Sequence, residues 1–170
     1  MDIRDKVAIV TGAGSGIGEG VVRRFAAEGA RHVVVVDRDE EGANRVAQDI
    51  GGRSAVIDVS DEAAIRSLVS EVEEEHGAVD LFFSNAGFVT IGGLEAPVDE
   101  LQQMWAVHVL AHIYAARAVL PGMIKRGEGA LLNTASAAGL LSQFGSLHYS
   151  LTKHAAVALA EWIAITHGHQ

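Results

Sequence analysis

Apolar residues occur along this chain in two alternating patterns. Short runs rich in apolar residues cover 7–10, 31–36, 54–57, 79–83 and 130–134 and predict five strands, and the first run is long enough for a strand buried on both faces. Between them, apolar residues recur at helical spacing, first up to Gly29 and then over 39–50, 61–76, 97–126 and 147–166. Strands that alternate with helices predict an α/β fold, a three-layer doubly wound parallel sheet with right-handed crossovers.

Capping and breaking residues mark several ends of these elements. Asp39 is a plausible N-cap, and Gly51 with Gly52 stops the helix that follows it. Gly77 ends the next helix, whose outer face is acidic. Pro121 predicts a bend or a break near the end of the long fourth helical segment.

The junction between the first strand and the first helix is rich in glycine. Four glycines fall within the seven residues from Gly12 to Gly18, and their spacing fits TGxxxGxG, although it fits GxGxxG at no register. Glycine lets the backbone approach a pyrophosphate closely, and free N–H groups at a helix start stabilise its charge. An ordinary glycine loop is the alternative. The pattern predicts a nucleotide-binding turn with contacts from Thr11, Gly12, Gly14, Ser15, Gly16, Ile17 and Gly18.

Asp37 closes the second apolar run, 19 positions after Gly18. An acidic residue at this strand end can accept hydrogen bonds from the adenosine ribose hydroxyls. It would repel a 2′-phosphate, and no Lys or Arg lies between Gly12 and Gly18 to bind one. Arg38 is the contrary feature, because a neighbouring arginine can turn toward a phosphate. The pattern favours NAD over NADP, unless Asp37 is only a solvated loop residue.

Composition and charge narrow the classes of partner. The chain has 170 residues, enough for one domain with a substantial core, so we expect a single NAD(P)-binding domain over 1–170. A formal net charge of −9 argues against nucleic acid and anionic membranes. The absence of cysteine excludes a disulfide framework and a thiolate nucleophile. No apolar run is expected to reach transmembrane length and no leader precedes Lys6, so a soluble cytoplasmic protein is expected.

Candidate catalytic residues lie near the end of the chain. Tyr149 and Lys153 are four apart on a predicted helix, so their side chains share one face. A phenol ionises near pKa ~10, and a neighbouring ammonium group favours the phenolate, which brings it toward the range of a general base. Ser136 follows the fifth strand, where ligands bind in open parallel sheets, and its hydroxyl can hold a substrate oxygen. The pair also occurs by chance in many helices, so it gains weight only together with the other motifs.

In order along the chain, these motifs resemble the short-chain dehydrogenase/reductase family over essentially the whole length. The similar segments are TGAGSGIG from Thr11, Asp37, Asp58-Val59, the NAG of Asn85, Ala86 and Gly87, Ser136, and YSLTK from Tyr149. The resemblance implies a Rossmann fold and the nicotinamide-dependent oxidation of an alcohol or reduction of a ketone. It implies that Tyr149 is the general acid/base, that Lys153 tunes it and binds the nicotinamide ribose, and that Ser136 orients the reacting oxygen. Asp58 and Val59 would approach the adenine, and Asn85 to Gly87 would line the cofactor cleft.

Two features depart from the family pattern. Relatives usually carry an asparagine, which helps hold a water in a proton relay, where this chain has His108. We keep His108 as a candidate catalytic residue whose titration near neutrality would change the pH profile. His108 and His112 could instead ligate a metal, but no acidic partner lies at a zinc-motif spacing, so no metal is expected. Relatives also continue well past the last helix, so we expect the usual C-terminal strands to be missing and strand five to be an exposed edge.

The sequence leaves two functions open. The first is an NAD-dependent oxidoreductase that interconverts a secondary alcohol and a ketone. The second is a truncated, inactive nucleotide-binding or interaction module. Apolar residues at 88–91 and 140–144 favour a small hydrophobic alcohol or ketone as substrate, unless they pack inward. Relatives often associate through the long helix and the last helix, so a homo-oligomer (dimer or tetramer) is expected.

Overall fold

In the computed structural model, which describes residues 1–169, five parallel strands form one sheet in the order β3-β2-β1-β4-β5. The strands are β1 (Val7–Thr11), β2 (His32–Asp37), β3 (Arg53–Val56), β4 (Leu81–Ser84) and β5 (Ala130–Asn133). The helices are α1 (Gly16–Ala27), α2 (Glu40–Ile50), α3 (Glu62–His76), α4 (Val98–Trp105), α5 (Ala111–Arg126) and α6 (Leu147–His167). A π-helical segment (Ala106–Leu110) joins α4 to α5, and a 3-10 turn (Ala137–Gly139) precedes α6. The predicted α/β fold class is confirmed.

The two faces of the sheet carry separate apolar cores, because successive residues of a strand point to opposite faces. Val7 and Ile9 of β1 pack into the core formed with α3 and α5. Val10 packs into the other core, with α1 and α2. This burial on both faces explains why β1 and β2 read as unbroken apolar runs.

The long helical stretch is one continuous helix from Val98 to Arg126 that runs through Pro121. Of the bend or break predicted at Pro121, the break is therefore wrong. By length and mean hydropathy (1.3) this helix is also the one among residues 1–169 that is apolar enough to cross a membrane, a test that a buried core helix passes as well. Its apolar residues are used in the fold, since Ala115 and Val119 pack beneath the sheet. A helix that covers a sheet needs such a face.

Asp80 shifts the start of β4. The strand begins at Leu81, two residues later than predicted, although Val79 is buried. Asp80 Oδ2 accepts a hydrogen bond from the N–H of Val7 at 2.8 Å, so a side chain pairs the first residue of β1.

The strand order reverses at β1, which pairs with β2 on one side and β4 on the other. In open parallel sheets a crevice forms at the carboxyl ends of the strands at such a point. The turn after Thr11 and the loop after Ser84 therefore lie side by side. At the far side, β5 is the edge strand of the described sheet, as predicted.

Candidate active site

The glycine turn connects β1 to α1 through two left-handed backbone positions, Gly12 (φ 63°) and Gly16 (φ 54°). A Cβ at Gly12 would lie 2.7 Å from the Cα of Ala86, and a Cβ at Gly18 would overlap the carbonyl oxygen of Gly12. Apart from its two chain neighbours and the backbone of its own helix, no part of residues 1–169 lies within 4 Å of the Cβ position at Gly16. Packing and conformation thus require glycine in this turn, and the space beside the start of α1 is open.

Two charged side chains hold Gly14 in the middle of the turn. Asp37 Oδ2 accepts the Gly14 N–H at 2.9 Å, and Arg45 Nη2 donates to the Gly14 carbonyl oxygen at 3.0 Å. Glu19 binds Arg45 at 2.9 Å, and its hydrogen bonds from Arg45 and Arg23 lower the pKa of its carboxyl to about 2. The sequence analysis missed Arg45, because it lies 31 residues beyond Gly14 and no motif marks it.

A cavity of about 730 Å³ opens where the carboxyl ends of β1 and β4 meet, and its size is typical of a small-molecule site. The predicted cofactor residues that line it are Gly12, Ser15, Gly16, Ile17, Asp37, Arg38, Asp58, Val59, Asn85, Ala86, Gly87, Tyr149 and Lys153. Within the described chain, Ser15 gives α1 no side-chain cap. The first N–H groups of α1 can therefore bind an anion such as a pyrophosphate.

Thr11, Gly14 and Gly18 are predicted cofactor residues that are not among those lining the cavity. Thr11 is buried, and its Oγ1 accepts the N–H groups of Asn85 and Ala86 at 3.0 and 3.1 Å. Thr11 therefore fixes the loop after β4 against the glycine turn.

Asp58, after β3, and Arg38, after β2, both line this cavity. The Asp58 carboxylate accepts the N–H and the hydroxyl of Ser60 at 2.9 and 2.7 Å. These hydrogen bonds, followed by the positive charge of Arg38, lower the pKa of Asp58. Arg38 is thus close enough to interact with a carboxylate of this chain.

Tyr149 and Lys153 lie together on α6, one turn apart, and both line the cavity. The Lys153 Nζ is 5.6 Å from the centre of the Tyr149 ring and donates to the carbonyl oxygen of Thr134 at 2.8 Å. Lys153 is only 3% exposed, and burial lowers the pKa of its ammonium group to about 8. Thr134, at the end of β5, was missed by the sequence analysis because it acts through its backbone.

Ser136 is half-buried after β5 and caps the 3-10 turn, where its Oγ accepts the N–H of Ala138 at 3.1 Å. It is not among the residues that line the cavity. The structure therefore unites Tyr149 and Lys153 in one cavity, and leaves Ser136 beside it.

His108 lies in the π-helical segment and is fully buried. Its Nε2 accepts the N–H of Phe88 at 3.2 Å, and its Nδ1 lies 3.0 Å from the Oγ1 of Thr152. Because Nε2 accepts, Nδ1 carries the proton of the neutral ring and donates it to Thr152. The ring meets that of Tyr149 edge-on, with centroids 5.7 Å apart.

Burial, then Lys153 and His112, lowers the pKa of His108 to about 3. The prediction that His108 titrates near neutrality is therefore wrong, since buried imidazole does not readily take up charge. His112 is also buried, and burial followed by Lys153 lowers its pKa to about 4. Residues 1–169 contain no cluster of three or more side chains able to hold a metal.

Comparisons with known proteins identify a protein family and individual proteins that this chain resembles. A family model described as short chain dehydrogenase matches residues 6–169. The chain is 37% identical to the meso-2,3-butanediol dehydrogenase of Serratia marcescens, over 99% of this chain and 68% of that protein. It is 34% identical to the 1-deoxy-11-beta-hydroxypentalenate dehydrogenase of Streptomyces exfoliatus, over 94% of this chain and 61% of that protein.

A solved structure extends this likeness to the fold. The short chain dehydrogenase/reductase from Burkholderia phymatum, determined in complex with NAD, superposes with a TM-score of 0.91 at 32% identity. The match covers 98% of this chain and 61% of that one. The chain therefore spans between 61% and 68% of the length of these relatives.

Proposed function

The chain belongs to the short-chain dehydrogenase family of oxidoreductases, and we propose that its residues form a single domain that interconverts a secondary alcohol and a ketone with NAD. Tyr149 is assigned as the general acid/base, Lys153 as the group that tunes it, and Ser136 as the residue that orients the substrate oxygen. His108 is assigned as a positioning residue, because both of its ring nitrogens are engaged by this chain.

The observation that carries this proposal is a shared space. One cavity is lined both by the open start of α1 and by Tyr149 and Lys153. A dinucleotide held by its phosphates at the start of α1 would extend toward the pair in the same cavity. A Tyr–Lys pair with a purely structural role would not require a cavity beside it.

Side chains of this chain can transfer the proton that the substrate oxygen gains in reduction and loses in oxidation. In ketone reduction the Tyr149 hydroxyl donates its proton to the carbonyl oxygen, and in alcohol oxidation the phenolate accepts it back. The nearby Lys153 ammonium stabilises the negative charge on the phenolate oxygen. The Ser136 hydroxyl accepts the Ala138 N–H but can still donate its own proton to a substrate oxygen. When bound, the nicotinamide supplies or accepts the hydride.

The preference for NAD over NADP rests on charge. Asp37 lines the cavity with a carboxylate that would repel a 2′-phosphate. Arg38, which also lines the cavity, is the basic residue that could offset this repulsion. The complex of the Burkholderia phymatum relative with NAD supports the same choice.

The proposed substrate is a small hydrophobic secondary alcohol or its ketone. Apolar side chains near the active-site end of α6 remain largely exposed: Val89 55%, Ile91 88%, Leu94 94%, Leu140 72%, Leu141 71% and Phe144 103%. Val89 lines the cavity itself, and an apolar surface with few polar groups beside the cavity suits an apolar ligand. The name of the Serratia marcescens relative, a butanediol dehydrogenase, supports a secondary alcohol as the reacting group.

A homo-oligomer, a dimer or tetramer, is proposed because large apolar side chains on α6 are exposed. Trp162 and Ile165 on α6 are 60% and 80% exposed, which is unusual for large apolar side chains on a helix. Light scattering at micromolar concentration should give a mass at least twice that of the chain, and a monomer would count against this proposal.

Steady-state turnover of a panel of secondary alcohols, with NAD and NADP in parallel, tests the activity. We expect NAD reduction with apolar secondary alcohols and loss of that signal in Tyr149→Phe. The alternative function is an inactive nucleotide-binding or interaction module. NAD binding by calorimetry with no turnover on any alcohol would establish that alternative.

A further inference from the structure

Two loops with exposed apolar side chains flank the first turn of α6, which carries Tyr149. We call them loop A (88–97, after β4) and loop B (140–146, before α6). Backbone hydrogen bonds join them, since the N–H of Gly92 donates to the carbonyl oxygen of Gly145 at 3.0 Å. The N–H of Leu147, the first residue of α6, donates to the carbonyl oxygen of Gly92 at 3.0 Å. Loop A thus lies directly against the start of α6.

Ser146 connects loop A to the helix through its side chain. It is only 2% exposed, and its hydroxyl donates to the carbonyl oxygen of Thr90 at 2.6 Å. The same Oγ accepts the N–H of Tyr149 at 3.3 Å, as the N-cap of α6. One buried hydroxyl therefore joins the middle of loop A to the backbone of Tyr149.

Ser150 makes the equivalent connection to loop B. Its Oγ accepts the N–H of Gln143 at 2.9 Å and donates to the carbonyl oxygen of Ser146 at 3.0 Å. Ser146 and Ser150 lie four residues apart, on either side of Tyr149 in sequence. Each serine fastens one apolar loop to the helical turn that carries the tyrosine.

We propose that Ser146 and Ser150 are positioning residues that hold loops A and B in fixed register with Tyr149. As the proposed apolar walls of the substrate site, loops A and B then form one rigid unit with the Tyr149 hydroxyl, so that a bound alcohol is presented to Tyr149 at a set distance. The role in substrate handling rests on the proposed function. The mechanical coupling of the loops to α6 does not, because it follows from the hydrogen bonds alone.

Hydrogen exchange measured by mass spectrometry on the full chain tests the coupling. Ser146→Ala removes a helix N-cap and the partner of Thr90, so exchange should become about five- to tenfold faster in peptides covering 89–93 and the first turn of α6. Exchange in the glycine turn should stay unchanged. Ser150→Ala should accelerate exchange in loop B and leave loop A unaffected. Ser70→Ala, which removes an exposed hydroxyl on α3, is the matched control.

Three results would overturn the coupling: unchanged exchange in loop A of Ser146→Ala, acceleration confined to α6, or equal acceleration in the glycine turn. A kinetic measurement tests the substrate role. Ser146→Ala should raise KM for the alcohol by about five- to tenfold with the affinity for NAD unchanged, because the walls lose their register while the cofactor end is untouched. A merely structural role would lower kcat equally for all alcohols at constant KM, and that result refutes the substrate role. Absence of turnover in the unmutated chain refutes the proposed function, while the exchange result still decides the coupling.

Discussion

Replacing Lys153 by methionine should separate catalysis from stability. The side chain is 3% exposed, and burial lowers the pKa of its ammonium group from 10.5 to about 8. At pH 7 the lysine is therefore charged in both the folded and the unfolded chain, and folding takes that charge out of water. Methionine has a similar length and no charge, so it removes this cost.

The structure determines how much the free energy of unfolding should change in Lys153→Met. Since one pKa unit corresponds to about 1.36 kcal/mol, the lowered pKa of Lys153 means that its burial costs at most about 3 kcal/mol at pH 7. The variant also loses the hydrogen bond from Nζ to the Thr134 carbonyl oxygen, and an unpaired buried carbonyl costs about 1–3 kcal/mol. The net change in the free energy of unfolding is between about zero and 2 kcal/mol in favour of the variant. For a chain of this size that is an increase in Tm of about 0–8 °C.

The pH dependence of the free energy of unfolding gives an independent measure of the cost of burying the Lys153 charge. The folded-state pKa of Lys153 lies below the unfolded value, so between pH 8 and 10.5 the unfolded chain binds more protons. The free energy of unfolding contributed by Lys153 therefore rises with pH across this window, so any advantage of Lys153→Met should disappear there and the wild type should become the more stable of the two.

Thermal melts from pH 6 to 10.5, NAD calorimetry and turnover on the same samples provide the assay, with Lys125→Met, an exposed lysine on α5, as the control. We expect turnover to fall by about 10²–10⁴-fold and NAD binding to weaken, with Tm maintained or raised. A fall in Tm of several degrees together with full turnover per folded molecule would show that Lys153 is a structural residue, and would refute the reasoning.

The remaining predictions concern the other side chains of the site. Tyr149→Phe should lower turnover by about 10²–10⁴-fold while the affinity for NAD stays nearly constant, as measured by calorimetry; full turnover would disprove the acid/base assignment. Asp37→Asn keeps an acceptor for the Gly14 N–H but removes the charge, so the ratio of NADP to NAD dissociation constants should fall by about tenfold, and an unchanged ratio would contradict the charge argument. His108→Asn should reduce the acid sensitivity of folding between pH 3 and 6.5, because the unfolded chain protonates a histidine that the fold keeps neutral; equal acid midpoints for wild type and variant would argue against this.

The parts of the fold that follow from the sequence are those whose burial is uniform. β1 and β2 are buried on both faces, so their apolar runs are unbroken and easy to recognise. The start of β4 was placed two residues early because Val79 is apolar and buried, although the paired register with β1 begins only at Leu81. Hydropathy reports burial, and a hydrogen-bond register is a separate property.

The same distinction applies to the candidate site. Some residues that line the cavity, such as Asp37 and Tyr149, belong to motifs whose spacing is visible in the sequence, so they could be predicted. Arg45, Thr134 and Thr152 could not, because each acts on a residue far away in sequence or through its backbone. Only the packed fold brings α2 to the glycine turn and β5 to α6.

His108 shows how burial changes the chemistry that a residue type suggests. Its sequence position indicates a titratable group near the reacting atoms, yet the π-helical segment turns the ring into the protein, between the loop after β4 and Thr152 on α6. Accepting the Phe88 N–H fixes the tautomer, and the loss of solvation keeps the ring neutral. With both nitrogens engaged, the ring has no lone pair or proton left to exchange with a water. The contacts of His108 therefore hold the loop and α6 together beside Tyr149, and the proton transfer that we propose is assigned to Tyr149 and Lys153.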